Sequence, residues 1–86
     1  MPRLGRRIRR MRESPSNVRF DELAGVLDHL GFKMRRPGSG GSHVSFWHPD
    51  LSYPITVKWQ PVVNRVYVRQ ALDAIDELGR MIEDDE

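Results

Sequence analysis

The sequence predicts a small α+β domain in which one helix, three antiparallel strands and a second helix follow in chain order. Two stripes of apolar residues at helical spacing, within Phe20–Leu30 and Val66–Leu78, enclose the middle of the chain. Between them lie three short alternating runs separated by turn residues. Because each helix has one apolar stripe, both helices are expected to cover the same face of the sheet and leave its other face exposed. The expected architecture is a two-layer α-β-β-β-α sandwich.

Short signals mark the ends of the two predicted helices. Asp21 and Glu22 lie in the first turn of the first helix, where carboxylates stabilise the positive end of the helix dipole. Gly31 is a typical C-terminal stop for that helix. Asn64 is predicted to cap the start of the second helix, and Gly79 is predicted to end it.

Three predicted strands lie between the helices, at residues 32–36, at 43–47 and within 53–59. In the first strand, alternation directs Phe32 and Met34 toward the core. The turns between the strands are short, and turns of this length favour an antiparallel meander.

The composition is typical of a small soluble domain. The 86 residues, of which 38% are hydrophobic and 30% charged, suffice for one modest core and no second domain. The chain has no cysteine, which excludes disulfides and thiolate metal sites. No apolar run approaches the roughly 20 residues needed to span a bilayer, and the basic N-terminus lacks the apolar stretch of a secretory signal. The expected location is therefore the cytoplasm, with no membrane contact.

Charge is distributed unevenly along the chain. Residues 1–16 carry six arginines and one glutamate, residues 17–80 are nearly neutral, and residues 81–86 carry four acidic side chains. These segments are predicted to be a basic arm, a globular domain and an acidic tail. Three apolar residues of the arm have helical spacing, namely Leu4, Ile8 and Met11. Because an isolated helix of this length is marginal in water, the arm is predicted to be flexible until a partner binds.

Two interpretations of the basic arm stay open. A run of arginines ahead of a nearly neutral body suggests a polyanionic partner that the arm contacts. Short arginine runs are also common on small proteins, where they improve solubility without binding a specific partner.

A histidine follows the glycine-rich turn between the first two strands. In the run from Gly40 to Phe46, Val44 and Phe46 share one strand face, so His43 points to the opposite face, toward solvent or a partner. The adjacent glycines leave space for a ligand to approach the backbone. As a residue type, histidine takes up and releases protons near neutral pH. The alternative is a hairpin turn that carries an ordinary surface histidine.

The surrounding motifs resemble those of HicA-type toxins, small mRNA interferases of bacterial toxin–antitoxin pairs. The similarity covers roughly residues 17–79. It rests on a central Gly-Ser-His followed by an aromatic and His-Pro-Asp, on an Asn-Val-Arg-Phe run, on a helix that ends Leu-Gly-Phe and on the opening of the last helix. In this chain these are Gly41-Ser42-His43, Phe46, His48-Pro49-Asp50, Asn17–Phe20, Leu30-Gly31-Phe32 and Val68–Leu72.

The resemblance implies a fold and an activity. It implies a fold like that of the double-stranded RNA-binding domain and an endoribonuclease that cleaves mRNA without a metal or other cofactor. It maps the catalytic histidine of the family onto His43. It also implies a protein partner, a HicB-type antitoxin that neutralises the toxin. The residues agree with a metal-independent reaction, since the histidines and carboxylates show no metal-ligand spacing.

Cations on or beside the strands are the candidate phosphate ligands. We predict that RNA is bound by a serine next to His43 and by four basic residues, namely Ser42, Lys33, Arg35, Arg36 and Lys58. For each of the cations, a solvated strand face is an equally good interpretation.

Three further side chains are weaker candidates for the site. Trp47 and Trp59 have rings able to stack on bases, but tryptophans at strand ends more often cap a core. His48 is predicted to be a turn residue, because it faces away from His43 and precedes a proline.

The chain departs from the family pattern in two places. Pro37–Gly40 resembles an insertion in the loop before the Gly-Ser-His motif, and an insertion there is expected to alter the position of His43. The segment Trp59–Arg65 lacks a histidine and a glycine-lysine pattern that many relatives carry, and their absence is expected to alter substrate binding.

Three functions are compatible with these observations. The first is a toxin that cleaves mRNA with His43 and is held inactive by an antitoxin. The second is a non-catalytic RNA-binding module of the same fold, in which the arm and the strand cations bind RNA. The third is a protein-interaction domain whose arm binds an acidic partner.

Overall fold

The computed structural model describes residues 4–36 and 42–84, with side chains described as far as Gly79. Its elements are α1 (Leu4–Glu13), α2 (Phe20–His29), β1 (Lys33–Arg35), β2 (His43–Trp47), β3 (Ile55–Lys58) and α3 (Arg65–Asp84). The strands form one antiparallel sheet in the order β1-β2-β3. The predicted α+β class and the three-stranded meander are therefore confirmed. The turn residues 37–41, including the predicted insertion, lie outside the described residues.

The core lies between one face of the sheet and the helices. Val44 and Phe46 of β2 and Ile55 and Val57 of β3 are buried. Helix α2 contacts β1, and helix α3 contacts β3. The apolar stripes of both helices join the same cluster, through Leu23, Val26, Leu27, Val68, Ala71, Leu72, Ile75 and Leu78. Burial of this strip of side chains is the main favourable term in folding, as expected for apolar surface removed from water.

Helix α2 ends as the sequence predicts. Gly31 has a φ of 97°, a conformation that glycine adopts without steric cost. The Phe32 N–H donates to the carbonyl of Leu27 at 2.9 Å, and the Gly31 N–H donates to the carbonyl of Asp28 at 3.0 Å. These two bonds form a Schellman cap, which satisfies the last carbonyls of the helix.

Helix α3 starts as predicted but ends later. The side-chain oxygen of Asn64 accepts the N–H of Val66 at 2.9 Å, which is the bond expected of an N-cap. Gly79 does not end the helix, which continues to Asp84. A glycine inside a helix costs only about 1 kcal/mol relative to alanine, and several of the residues after Gly79 have high helix propensity. The helix therefore continues beyond Gly79.

The structure corrects the prediction of a flexible N-terminal arm. Residues Leu4–Glu13 form helix α1, which packs against α2 and α3. Met11 is fully buried, while Leu4 and Ile8 are partly buried against the same core. The predicted helical spacing is thus present, but the helix is stabilised by tertiary packing, which is how most protein helices exceed the marginal stability of an isolated peptide.

The structure also corrects the predicted position of Met34. Alternation places its side chain on the core side of β1, yet Met34 is 49% exposed, whereas Phe32 just before the strand is buried. Strand β1 lies at the edge of the sheet and has only three residues. The helices therefore leave the core side of β1 partly uncovered at Met34.

In the part of the chain that the structure describes, no helix combines the length and the apolar character required to cross a membrane.

Candidate nucleic-acid interface

The sheet face turned away from α2 and α3 carries the candidate site and is called the open face. Strand register fixes which side chains stand side by side on it. His43 pairs with Lys58, and Ser45 pairs with Thr56 on one side and with Arg35 on the other. Trp47 pairs with Lys33 in the next row. The open face is therefore made of Lys33, Arg35, His43, Ser45, Trp47, Thr56 and Lys58.

The hydrogen-bond pattern brings His43 and Lys58 close together. The Trp59 N–H donates to the carbonyl of Ser42 at 2.7 Å, so these two residues form a hydrogen-bonded pair. Because such pairs alternate along an antiparallel ladder, the next pair, His43 and Lys58, is a non-hydrogen-bonded one. Side chains of non-hydrogen-bonded pairs approach most closely, with Cβ atoms about 4.5–5.5 Å apart. The imidazole and the ammonium group can therefore contact one phosphodiester together.

Arg35 extends this pair to the neighbouring strand. It stands opposite Ser45, one row along the sheet from His43, and diagonal neighbours of this kind lie about 7–8 Å apart. The long arginine side chain spans that distance and presents a planar fork of donors suited to phosphate oxygens. Lys33, Arg35 and Lys58 are all exposed and form no ion pair with any described residue.

The two histidines at the ends of β2 have opposite environments. His43 is exposed, and its side chain makes no hydrogen bond within the described residues. The side chain of His48 is only 11% exposed, and its ring lies 5.0 Å from that of Phe32 in an edge-on contact. The same residue type is thus presented to solvent at one end of the strand and enclosed at the other.

Hydrogen bonds determine the tautomer of His48. Its Nδ1 accepts the N–H of Asp50 at 3.0 Å, so the ring proton must lie on Nε2. Nε2 then donates to the carbonyl of Leu30 at 3.1 Å. The His48 ring therefore connects the turn after β2 to the end of α2. The prediction that His48 is a turn residue agrees with this arrangement.

Three of the candidate residues lie just outside the strands. Ser42 and Arg36 are exposed and lie beside the ends of β2 and β1. Trp59 follows β3, and its ring lies 6.3 Å from the ring of Phe20. The structure thus brings Lys33, Arg35 and Lys58 together with His43 on the open face.

The site has members that the sequence reasoning did not select. Thr56 and Ser45 stand opposite each other, between Lys58 on β3 and Arg35 on β1. Their hydroxyl groups can donate to phosphate or ribose oxygens. The alternation of β3 already placed Thr56 beside Lys58, and this was the signal available in the sequence. Trp47, a weaker candidate from the sequence, is 42% exposed on the same face and offers a ring for stacking.

Two arginines of α1 form ion pairs with carboxylates of other helices. The guanidinium of Arg10 donates to both carboxylate oxygens of Glu22, with Nε 2.7 Å from Oε2, and also to the carbonyl of Asn17. Arg12 forms a two-bonded pair with Asp76 of α3. The Glu22 hydrogen bond, followed by its charge, raises the pKa of Arg10 above its ordinary value, and the Asp76 hydrogen bond raises the pKa of Arg12.

Among the described residues, no three histidine, aspartate or glutamate side chains converge as a metal-ligand cluster. Comparison of the chain with protein-family models, with curated proteins and with solved structures finds no match. The resemblance to HicA-type toxins therefore stays a prediction that rests on the motif residues. Support for a function comes from the chemistry of the open face.

Proposed function

We propose that this protein is the toxin of a toxin–antitoxin pair, an endoribonuclease that cleaves mRNA with His43. The observation that carries the proposal is the close pairing of His43 with Lys58 on a solvent-exposed face, with Arg35 on the neighbouring strand. This arrangement supplies a proton-transfer group beside cations at one phosphodiester. The element order of α2, the sheet and α3 supports a fold like that of the double-stranded RNA-binding domain.

The proposed reaction is transfer of the phosphodiester to the neighbouring hydroxyl. His43 removes the proton of the ribose 2′-hydroxyl, whose oxygen attacks the adjacent phosphorus. The bond from phosphorus to the 5′-oxygen breaks, and that oxygen takes up a proton from solvent water. Lys58 and Arg35 stabilise the negative charge that develops on the phosphoryl oxygens. The products are a 2′,3′-cyclic phosphate and a free 5′-hydroxyl.

The proposed partner follows from the same face. A HicB-type antitoxin that covers the open face blocks access of mRNA to His43. Expression without that partner is expected to stop growth of the host cell, because mRNA in the cytoplasm is then cleaved.

The decisive test is induced expression of the wild type beside His43→Ala, with growth and mRNA integrity followed. Loss of a general acid–base group typically lowers the rate by about 10²–10⁴-fold, so the variant should cease to arrest growth. His43 is exposed, so the variant should keep its circular dichroism spectrum. His29→Ala is the matched control, since His29 is an exposed histidine at the end of α2. Equal toxicity of wild type and His43→Ala at equal expression would exclude His43 as the catalytic residue.

Chelation tests whether the histidine acts without a metal. Cleavage of a model mRNA by the purified protein should continue in EDTA, and its products should end in a 2′,3′-cyclic or 3′-phosphate. Loss of cleavage in EDTA, with recovery on adding a divalent ion, would contradict the proposed reaction.

One observation favours a second candidate, an RNA-binding module without catalysis. Cleavage needs both a base and an acid, yet within the described open face His43 is the one histidine or carboxylic acid present. Binding needs only the cations and Trp47. RNA affinity that falls steeply with salt while the RNA stays intact would identify this function.

A further inference from the structure

An apolar groove lies between helix α2 and the edge of the sheet. It is lined by Ala24, Gly25 and Asp28 of α2 and by the apolar side chains Phe32, Met34 and Phe46. Gly25 presents no side chain to it, and the half-exposed Met34 forms its outer wall. The groove runs along β1, which among the described residues pairs only with β2.

The backbone of β1 has hydrogen-bonding groups directed away from the sheet at Met34. Because Ser42 bonds to Trp59, residues Val44 and Phe46 direct their N–H and C=O groups toward β3. Ser45 and Trp47 therefore direct theirs toward β1, where they meet the residues that flank Met34. The N–H and C=O of Met34 consequently point outward, as they do on any edge strand that can accept a further strand.

The charges beside Met34 restrict what can pair with it. Lys33 and Arg35, its neighbours in the strand, place two cations on the open face. Pairing with a second copy of β1 would set these cations against each other, and like charges directly opposite destabilise a sheet. A strand with acidic residues at these positions would be stabilised instead. Among the described residues that line the groove, Asp28 is the one carboxylate.

We propose that β1 binds an extended segment of a partner protein with the pattern acidic–apolar–acidic. The segment adds to the sheet as a fourth strand and exchanges backbone hydrogen bonds with Met34. Its apolar side chain, opposite Met34, enters the groove between α2 and β1. Its two acidic side chains lie on the open face against Lys33 and Arg35. This mode of binding combines main-chain hydrogen bonds with a pocket for alternate side chains, and it does not depend on RNA cleavage.

Peptide titration of the full chain, followed by NMR, tests the proposal. The probe is a short synthetic peptide in which valine and glutamate alternate, and the control peptides have lysine for glutamate or have the glutamates grouped at one end. The alternating acidic peptide should bind, and the amide hydrogen of Met34 should become protected from exchange. The amides of Lys33 and Arg35 face β2 and should change little. Absence of binding, or binding that leaves the Met34 amide exchanging as before, overturns the proposal.

Charge reversal gives a second test at exposed positions. The variant Lys33→Glu with Arg35→Glu should lose about tenfold or more in affinity for the acidic peptide and should bind the lysine peptide instead. Arg65→Glu, at the exposed first residue of α3, is the matched control and should bind the acidic peptide like the wild type. Equal affinities for all three proteins would contradict the proposal, as would sedimentation showing that the wild type pairs with itself through β1.

Discussion

The open face and helix α1 are both rich in cations, but their cations are held differently. On the open face Lys33, Arg35 and Lys58 are exposed and form no ion pair within the described residues. On α1 Arg10 and Arg12 are each bound by a carboxylate of another helix. The denser cluster in the sequence is therefore the one that is partly neutralised in the fold.

This difference separates cations that hold the fold together from cations that are available to a ligand. A guanidinium already bonded to both oxygens of a carboxylate has fewer donors left for a phosphate. A lysine or arginine without a carboxylate partner keeps its full charge available to a phosphate. The number of arginines in a segment is thus a poor measure of its capacity to bind RNA. That capacity depends on whether each arginine is already paired with a carboxylate.

The largest expected effect is on α1 and concerns stability. Met11→Ala removes a fully buried side chain, so we expect the free energy of unfolding to fall by about 2–5 kcal/mol. Met34→Ala is the matched control, because Met34 is half-exposed at the sheet edge and should cost much less. Urea denaturation of both variants measures the difference. Equal losses of stability would show that α1 is not part of the folded unit.

The sequence predicted the elements that depend on local signals. Apolar periodicity gave α2 and the strands, and the capping roles of Gly31 and Asn64 were both confirmed. The predictions of a flexible arm and of a core-facing Met34 were wrong, because burial at these positions depends on which surfaces meet in three dimensions. A stripe of three apolar residues shows that a helix is possible, but not that a surface exists for it to pack against.

The site was predictable as far as strand alternation reaches. Alternation put His43 on one face and Lys58 on the matching face of its own strand, but it could not show that the two stand opposite each other. That relation depends on register, which the length and shape of the turns determine. Ser42 and Arg36 lie just outside the strands, where alternation gives no direction for a side chain.

A matched pair of charge removals tests the distinction between free and paired cations directly. Lys58→Gln should lower the slope of log RNA affinity against log salt by roughly 0.7, the value for one phosphate contact with a single strand. Arg12→Gln should leave that slope unchanged and lower the free energy of unfolding by less than about 1 kcal/mol, since its pair with Asp76 is exposed. Fluorescence titration at several salt concentrations and urea denaturation measure the two quantities. If both variants change the same quantity, the two groups of cations do not differ in role.

The smallest expected effect concerns the arginines of α1 that face solvent. Arg6 and Arg9 are exposed and have no carboxylate partner among the described residues. Deletion of residues 1–14 would remove Met11 as well, so the charges must be removed by substitution. If α1 touches RNA, Arg6→Gln with Arg9→Gln should lower the salt slope by roughly 0.7 for each phosphate that the variant no longer binds. Cleavage sites should stay the same, because phosphate contacts position a nucleic acid whereas base contacts specify its sequence. An unchanged slope would show that Arg6 and Arg9 do not contact RNA.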